Sequence, residues 1–194
     1  MEHNIKDTIN QIQNIRSQIV LNQRIEGVSA PARFAGGIST FLICLYLMSC
    51  EHSFILHFSY WMLAISLGAL FNAVAVLRWF IKDTERDWNR LIPLSTCLPS
   101  LLLAAGISIA LLRNGSYDML FGSWIALYGM LGFSSRHFLP RQLFYVNVSY
   151  LIAGVSLLII PGISFYHSIV PGSIILIGET ATAIILHLDK TRKL

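Results

Sequence analysis

Charged side chains are scarce in this 194-residue chain, at 12% of the total. An ordinary soluble domain carries about 25%, so a water-facing surface cannot be dressed from this composition. Cysteine is equally sparse: three residues cannot pair completely, which excludes a disulfide scaffold. The sequence has no H-E-x-x-H, phosphate loop, nucleophile elbow or C-x-x-C. It therefore carries no motif for metal-dependent hydrolysis, nucleotide binding, acyl transfer or thiol redox chemistry. What is abundant is apolar: 55% of residues are hydrophobic and the mean hydropathy is +0.63. That rules out disorder and predicts an all-α polytopic membrane helix bundle.

Six apolar runs stand out, at residues 34–50, 56–80, 91–112, 119–133, 143–160 and 169–188. A spanning helix takes about 20 residues, so six spans use most of the chain and leave no room for a soluble catalytic domain. Turn chemistry separates the runs: Glu51-His52-Ser53, the charged 82–90 stretch, Asn114-Gly115-Ser116, residues 134–141, and Pro161-Gly162. The first run starts behind a long polar leader without a small-residue cleavage site, unlike a signal peptide.

Basic residues set the expected orientation. Lys6, Arg16, Arg24 and Arg33 precede the first run; Arg78, Lys82, Arg86 and Arg90 join the second to the third. Arg136 and Arg141 join the fourth to the fifth, and Lys190, Arg192 and Lys193 follow the sixth. Only Arg113 falls on the other side. With six crossings, both termini are expected in the cytoplasm and the protein in the plasma membrane, as a multi-pass bacterial inner-membrane protein. The net charge of +4 reflects these basic ends, not a nucleic-acid surface. Tyr60, Trp61, Tyr117, Trp124 and Tyr166 read as outer interfacial anchors, Trp79 and Trp88 as inner ones.

Residues 1–30 read as a cytoplasmic amphipathic helix ahead of a six-helix domain over 31–194. Ile5, Ile9, Ile12, Ile15 and Ile19 recur at helical spacing. Such a strip lies on the membrane surface or docks a protein partner or second copy of the chain through residues 1–28. Glu2, Asp7 and Glu26 offset most of its positive charge, so it is not a polybasic lipid sensor.

Glu179 is the most informative single position. It sits mid-run, where an ionised side chain costs on the order of 3 kcal/mol, so it must face the bundle. No lysine or arginine falls at a matching depth, which predicts a protonated acid hydrogen-bonded to serine, threonine, tyrosine or a carbonyl. It serves either as a proton, cation or polar-solute site, with Thr180 beside it, or as a polar joint between helices. Asn72 and Asn147 are further polar candidates, with Tyr150 one turn from Asn147; helix gluing or a polar cavity lining are both open. Gly36, Gly37, Ala64, Gly68, Gly122, Gly129 and Gly132 mark close helix packing. No metal or cofactor site is expected: the six histidines are dispersed, and neither His57/His167 nor His137/His187 has the spacing of a haem pair.

A faint internal echo relates residues 59–67 to 149–157, and Pro99/Gly106 to Pro171/Gly178. Two three-span halves would have inverted topology, as in some transporters.

Ile12-Gln13-Asn14-Ile15-Arg16-Ser17, Arg33-Phe34-Ala35-Gly36-Gly37, Trp88-Asn89-Arg90-Leu91 and the 129–134 stretch resemble a family of uncharacterised six-span inner-membrane proteins of Bacteroidota and related bacteria. The resemblance covers most of the chain. It departs at Glu179, where the family's pattern has a histidine. The resemblance implies gene neighbours such as winged-helix regulators and envelope-stress proteins, and with them a regulatory or accessory role. The sequence therefore leads to a non-enzymatic accessory or regulatory membrane protein; the alternative is a small transporter or channel with Glu179 at its midplane.

Overall fold

The structure, a computed structural model, describes residues 28–50, 53–82, 97–135, 139–160 and 162–191. Among them are six α-helices and no strand: α1 (Ala30–Leu47), α2 (Phe54–Lys82), α3 (Leu98–Arg113), α4 (Leu120–Ser134), α5 (Leu143–Ile159) and α6 (Ile169–Thr191). A single 3-10 turn, Tyr117–Met119, leads into α4. The isoleucine leader and the connection carrying Arg86, Trp88 and Arg90 lie outside the described residues. α1, α2 and α6 are long and apolar enough to cross a membrane, and α3 and α5 are shorter apolar helices.

Two helix starts differ from expectation, both because of proline. The first helix begins at Ala30, four residues before the apolar run, with Pro31 in its first turn and Ser29 extended ahead of it. Proline has no N–H to lose there, and its fixed φ suits the first helical turn. α3 begins at Leu98, with Pro99 in its first turn and Cys97 in the turn before it. The expected start at 91 lies outside the described residues, but the helix over 98–113 is a shorter span than the 91–112 run suggested.

Contacts between named residues give the helix directions. Gly37 faces Leu176 and Glu179 while Gly172 faces Cys44, so α1 and α6 are antiparallel. Gly36 meets Gly68, and Tyr46 meets Tyr60 with ring centroids 5.1 Å apart; α1 and α2 are antiparallel too. Gly122 abuts Leu158, Gly154 abuts Ala126 and Gly129 abuts the backbone of Asn147 and Leu151, which sets α5 against α4. Trp124 donates to Ser108 at 2.8 Å, and Ser134 approaches Ser100 at 3.5 Å, so α3 opposes α4. α2 and α4 start at the same end, where Phe54 stacks near Tyr117 at 4.2 Å. Chain direction thus alternates through all six helices.

Two helix groups result. α1 lies between α2 and α6, and α4 between α3 and α5. At one end the groups meet in an aromatic core: Trp61 against Phe121 at 4.7 Å, and Phe121 stacked on Phe165 at 4.7 Å. Trp61 is buried there, its indole N–H donating to Ser168 at 3.2 Å. This corrects its reading as an interfacial anchor. The residue is drawn inward because Ser168, at the foot of α6, supplies the buried acceptor its N–H needs. α6 also packs against α5, and at its mid-length a polar cluster joins the two groups.

Candidate functional site

Glu179 is buried at mid-length in α6. Its surroundings are close-packed. A Cβ added to Gly37 would lie 2.8 Å from Glu179 Cβ, and one on Gly178 would overlap the Tyr150 ring. The two glycines bring α1 and α5 close enough to α6 for their polar side chains to reach the carboxyl.

Three donors converge on it. Tyr128 of α4 donates its hydroxyl proton to Glu179 Oε1 at 2.6 Å. Tyr150 of α5 donates to Oε1 at 3.2 Å, and its hydroxyl also lies 3.3 Å from the Ile175 carbonyl. Arg33 of α1 reaches Oε2 at 3.3 Å and Oε1 at 3.4 Å through Nη1, which also donates to the Tyr128 hydroxyl. The rings of Tyr128 and Tyr150 meet edge to face at 5.1 Å, which fixes both hydroxyls toward the same oxygen. Four helices are therefore tied at a single carboxyl.

The expected lone protonated acid is corrected by this arrangement: Glu179 is ion-paired with Arg33. The sequence places Arg33 among the basic residues ahead of the first apolar run. Because α1 starts at Ala30, Arg33 occupies its first turn instead, and the antiparallel pairing with α6 sets it about one turn, or about 5 Å, from the level of Glu179. An extended arginine side chain crosses that distance. The expected tyrosine partner is present, since Tyr150 does bond the carboxyl.

The other sequence candidates lie apart. The Asn72 amide donates to the Gly68 carbonyl of its own helix at 2.8 Å, so it satisfies α2 locally. Asn147 packs onto Gly132 at the α4–α5 seam and lines a crevice of about 490 Å³ at the end of the bundle. Thr180, next to the carboxyl in sequence, is half-buried, and the next helical turn buries Thr182 and Ala183. The strip Ile5, Ile9, Ile12, Ile15 and Ile19 lies outside the described residues.

Sequence reading missed Arg33 and Tyr128. A proline ahead of Arg33 was the available signal that the helix starts early enough to include it. For Tyr128 the signal was position: it stands in the middle of an apolar run, whereas an anchoring tyrosine sits at an end.

Among the described residues the histidines and cysteines form no alternative centre. His57 is buried with Nδ1 3.4 Å from Ser168 Oγ, while His167 is exposed and its Nδ1 accepts the Ser164 N–H at 3.1 Å. Cys44 is buried against Gly172, and Cys50 and Cys97 are free thiols. Among the described residues no group of three or more side chains is arranged to hold a metal ion.

The chemistry open to the cluster is narrow. A carboxylate facing one cation and two hydroxyl donors is neutral overall and its oxygens are met, although the buried Arg33 Nε has no hydrogen-bond partner among the described residues; such a unit holds helices in register. No family model, curated protein or solved structure matches the chain.

Proposed function

We propose that this chain is a six-span inner-membrane protein with both termini in the cytoplasm, acting as a non-enzymatic accessory or regulatory component. In this reading the leader, residues 1–28, contacts a protein partner or a second copy, and the Arg33–Glu179 pair couples the leader to the bundle. One observation carries the coupling: the cation of the buried pair lies in the first turn of α1, directly after the leader. A force or tilt applied to the leader acts within one helical turn on the contact joining α1 to α4, α5 and α6.

The membrane orientation rests on charge. Arg33, Arg78, Lys82, Arg141 and Lys190 share one end of the bundle, and Arg113 is at the other. Exposed apolar side chains support immersion: Ile55, Leu102, Ile152 and Ile177 all point away from the core. The test is self-association and partner retention in nanodiscs, by light scattering and crosslinking. Loss on removing residues 1–28 is expected, with weakening in Arg33→Gln. A protein strictly monomeric and partnerless both with and without the leader sinks the reading.

The transporter or channel reading has its own supporting observation, a carboxyl at mid-helix bonded by two tyrosine hydroxyls that could pass a proton. Proton or cation flux in liposomes separates it from the first. Flux abolished by Glu179→Gln favours transport, and flux unaffected by that change removes it.

A further inference from the structure

The crevice beside Asn147 is separate from the Glu179 cluster and has a different chemistry. It lies where α4 ends and α5 begins, with a volume of about 490 Å³. Gly132 forms one wall; Pro140, Arg141, Gln142, Tyr145 and Asn147 supply much of the rest. Asn147 is seated directly on Gly132, where any larger residue would collide with its amide, so the side chain is held at the wall of the crevice. Arg141 and Gln142 are exposed at its rim, and Arg141 makes no ion pair among the described residues. The first-turn amides of α5 close onto Pro140, Arg141 and Gln142 carbonyls, which shapes the wall without using any side-chain donor.

The rim thus offers a guanidinium and two carboxamides, next to exposed Phe144 and Tyr145 rings. A guanidinium binds phosphate oxygens bidentately, carboxamides add neutral donors, and the flanking rings suit an acyl chain or glycerol backbone at interface depth. Basic pockets between spanning helices near the membrane surface take anionic headgroups. We infer that this crevice binds a phosphate-bearing anionic ligand, with the phosphate on Arg141 and Asn147 and the headgroup of a phosphatidylglycerol-type lipid as its source. The inference rests on the membrane reading above, because only an embedded bundle presents this rim to headgroups.

The test uses the full chain in nanodiscs of phosphatidylcholine, with and without phosphatidylglycerol, and native mass spectrometry of retained lipid. Phosphatidylglycerol is expected to be retained about fivefold over phosphatidylcholine, a preference reduced to near parity in Arg141→Gln and kept only in part in Arg141→Lys, which retains the positive charge but not the bidentate fork. Lys190→Gln, at the same end of the bundle, serves as the control and should leave it intact. Equal retention of the two lipids, or a preference indifferent to Arg141→Gln, overturns the proposal. If millimolar inorganic phosphate raises the melting temperature through Arg141 while no lipid preference exists, the source is a soluble phosphate and the lipid assignment falls. Flotation with phosphatidylcholine vesicles is measured alongside. A chain that floats but shows no preference fails only the crevice, whereas one that does not float fails the membrane reading.

Discussion

Arg33 and Glu179 illustrate how a buried charge survives in apolar surroundings. Each alone would be costly to bury, and together they present a neutral unit whose oxygens are met by Tyr128 and Tyr150. Removing one partner strands the other, so Glu179→Leu should cost about 3 kcal/mol, the low end of the range for buried pairs. The low end applies because the Arg33 side chain keeps 22% exposure. Removing both, as Arg33→Met with Glu179→Leu, should cost less than the sum of the singles by about 1–3 kcal/mol. Unfolding in detergent across the four proteins of this cycle measures the coupling, and additive losses would mean the pair is not a unit. Tyr128→Phe, which deletes one hydroxyl and no volume, should be milder, on the order of 1 kcal/mol. The carboxyl itself was plain in the sequence, because a lone Glu in an apolar run has few places to go. Its partner was not, because register between distant helices decides which arginine comes within reach.

The helices owe their close approach to glycine, at positions the sequence singled out for packing (Gly37, Gly122, Gly129, Gly132) and at others it did not (Gly154, Gly172, Gly178). Gly122, Gly129 and Gly132 on α4 with Gly154 on α5 let two backbones run in contact, which recovers dispersion where no hydrophobic driving force acts between apolar helices in lipid. Positions differ sharply in tolerance. Gly178→Ala would press on the Tyr150 ring and should cost about 1–3 kcal/mol, whereas Gly106→Ala enters open space and should stay within about 0.5 kcal/mol. Comparing thermal midpoints of the two variants in one detergent tests this; equal losses would contradict the packing. That both glycines belong to the proposed echo of Pro99/Gly106 and Pro171/Gly178 is informative. Both prolines occupy first turns, yet only one glycine is a contact, so the shared spacing reports helix starts more than shared packing. α3 buries none of its residues and, among the described residues, packs mainly on α4 and the short turn before it, with the Trp124–Ser108 bond as one tie. Its amides should exchange with deuterium faster than those of α4 when detergent and temperature are held constant.

For the whole molecule, alternating helix direction and one-sided basic charge form a single expectation. Reporter fusions at both termini should read cytoplasmic, while a cysteine placed at Gly115 should react with an impermeant reagent from outside the cell. Termini on opposite faces would overturn the six-span reading. α2, at 29 residues, is about 43 Å long, so in the six-span reading it would tilt or project beyond a hydrocarbon core of about 30 Å. The sequence by itself determined the all-helical class, the six apolar helices of the described residues with most of their ends, and part of the small-residue seams. These depend on composition and on periodicity within a segment, which a single stretch of chain contains. Only the tertiary structure decided that Arg33 meets Glu179, that Tyr128 joins them, that Trp61 turns inward and that Asn147 lines a crevice instead of the central cluster. Each is a relation between segments far apart in the chain, set by helix register and by where proline starts a helix, and no local pattern encodes it.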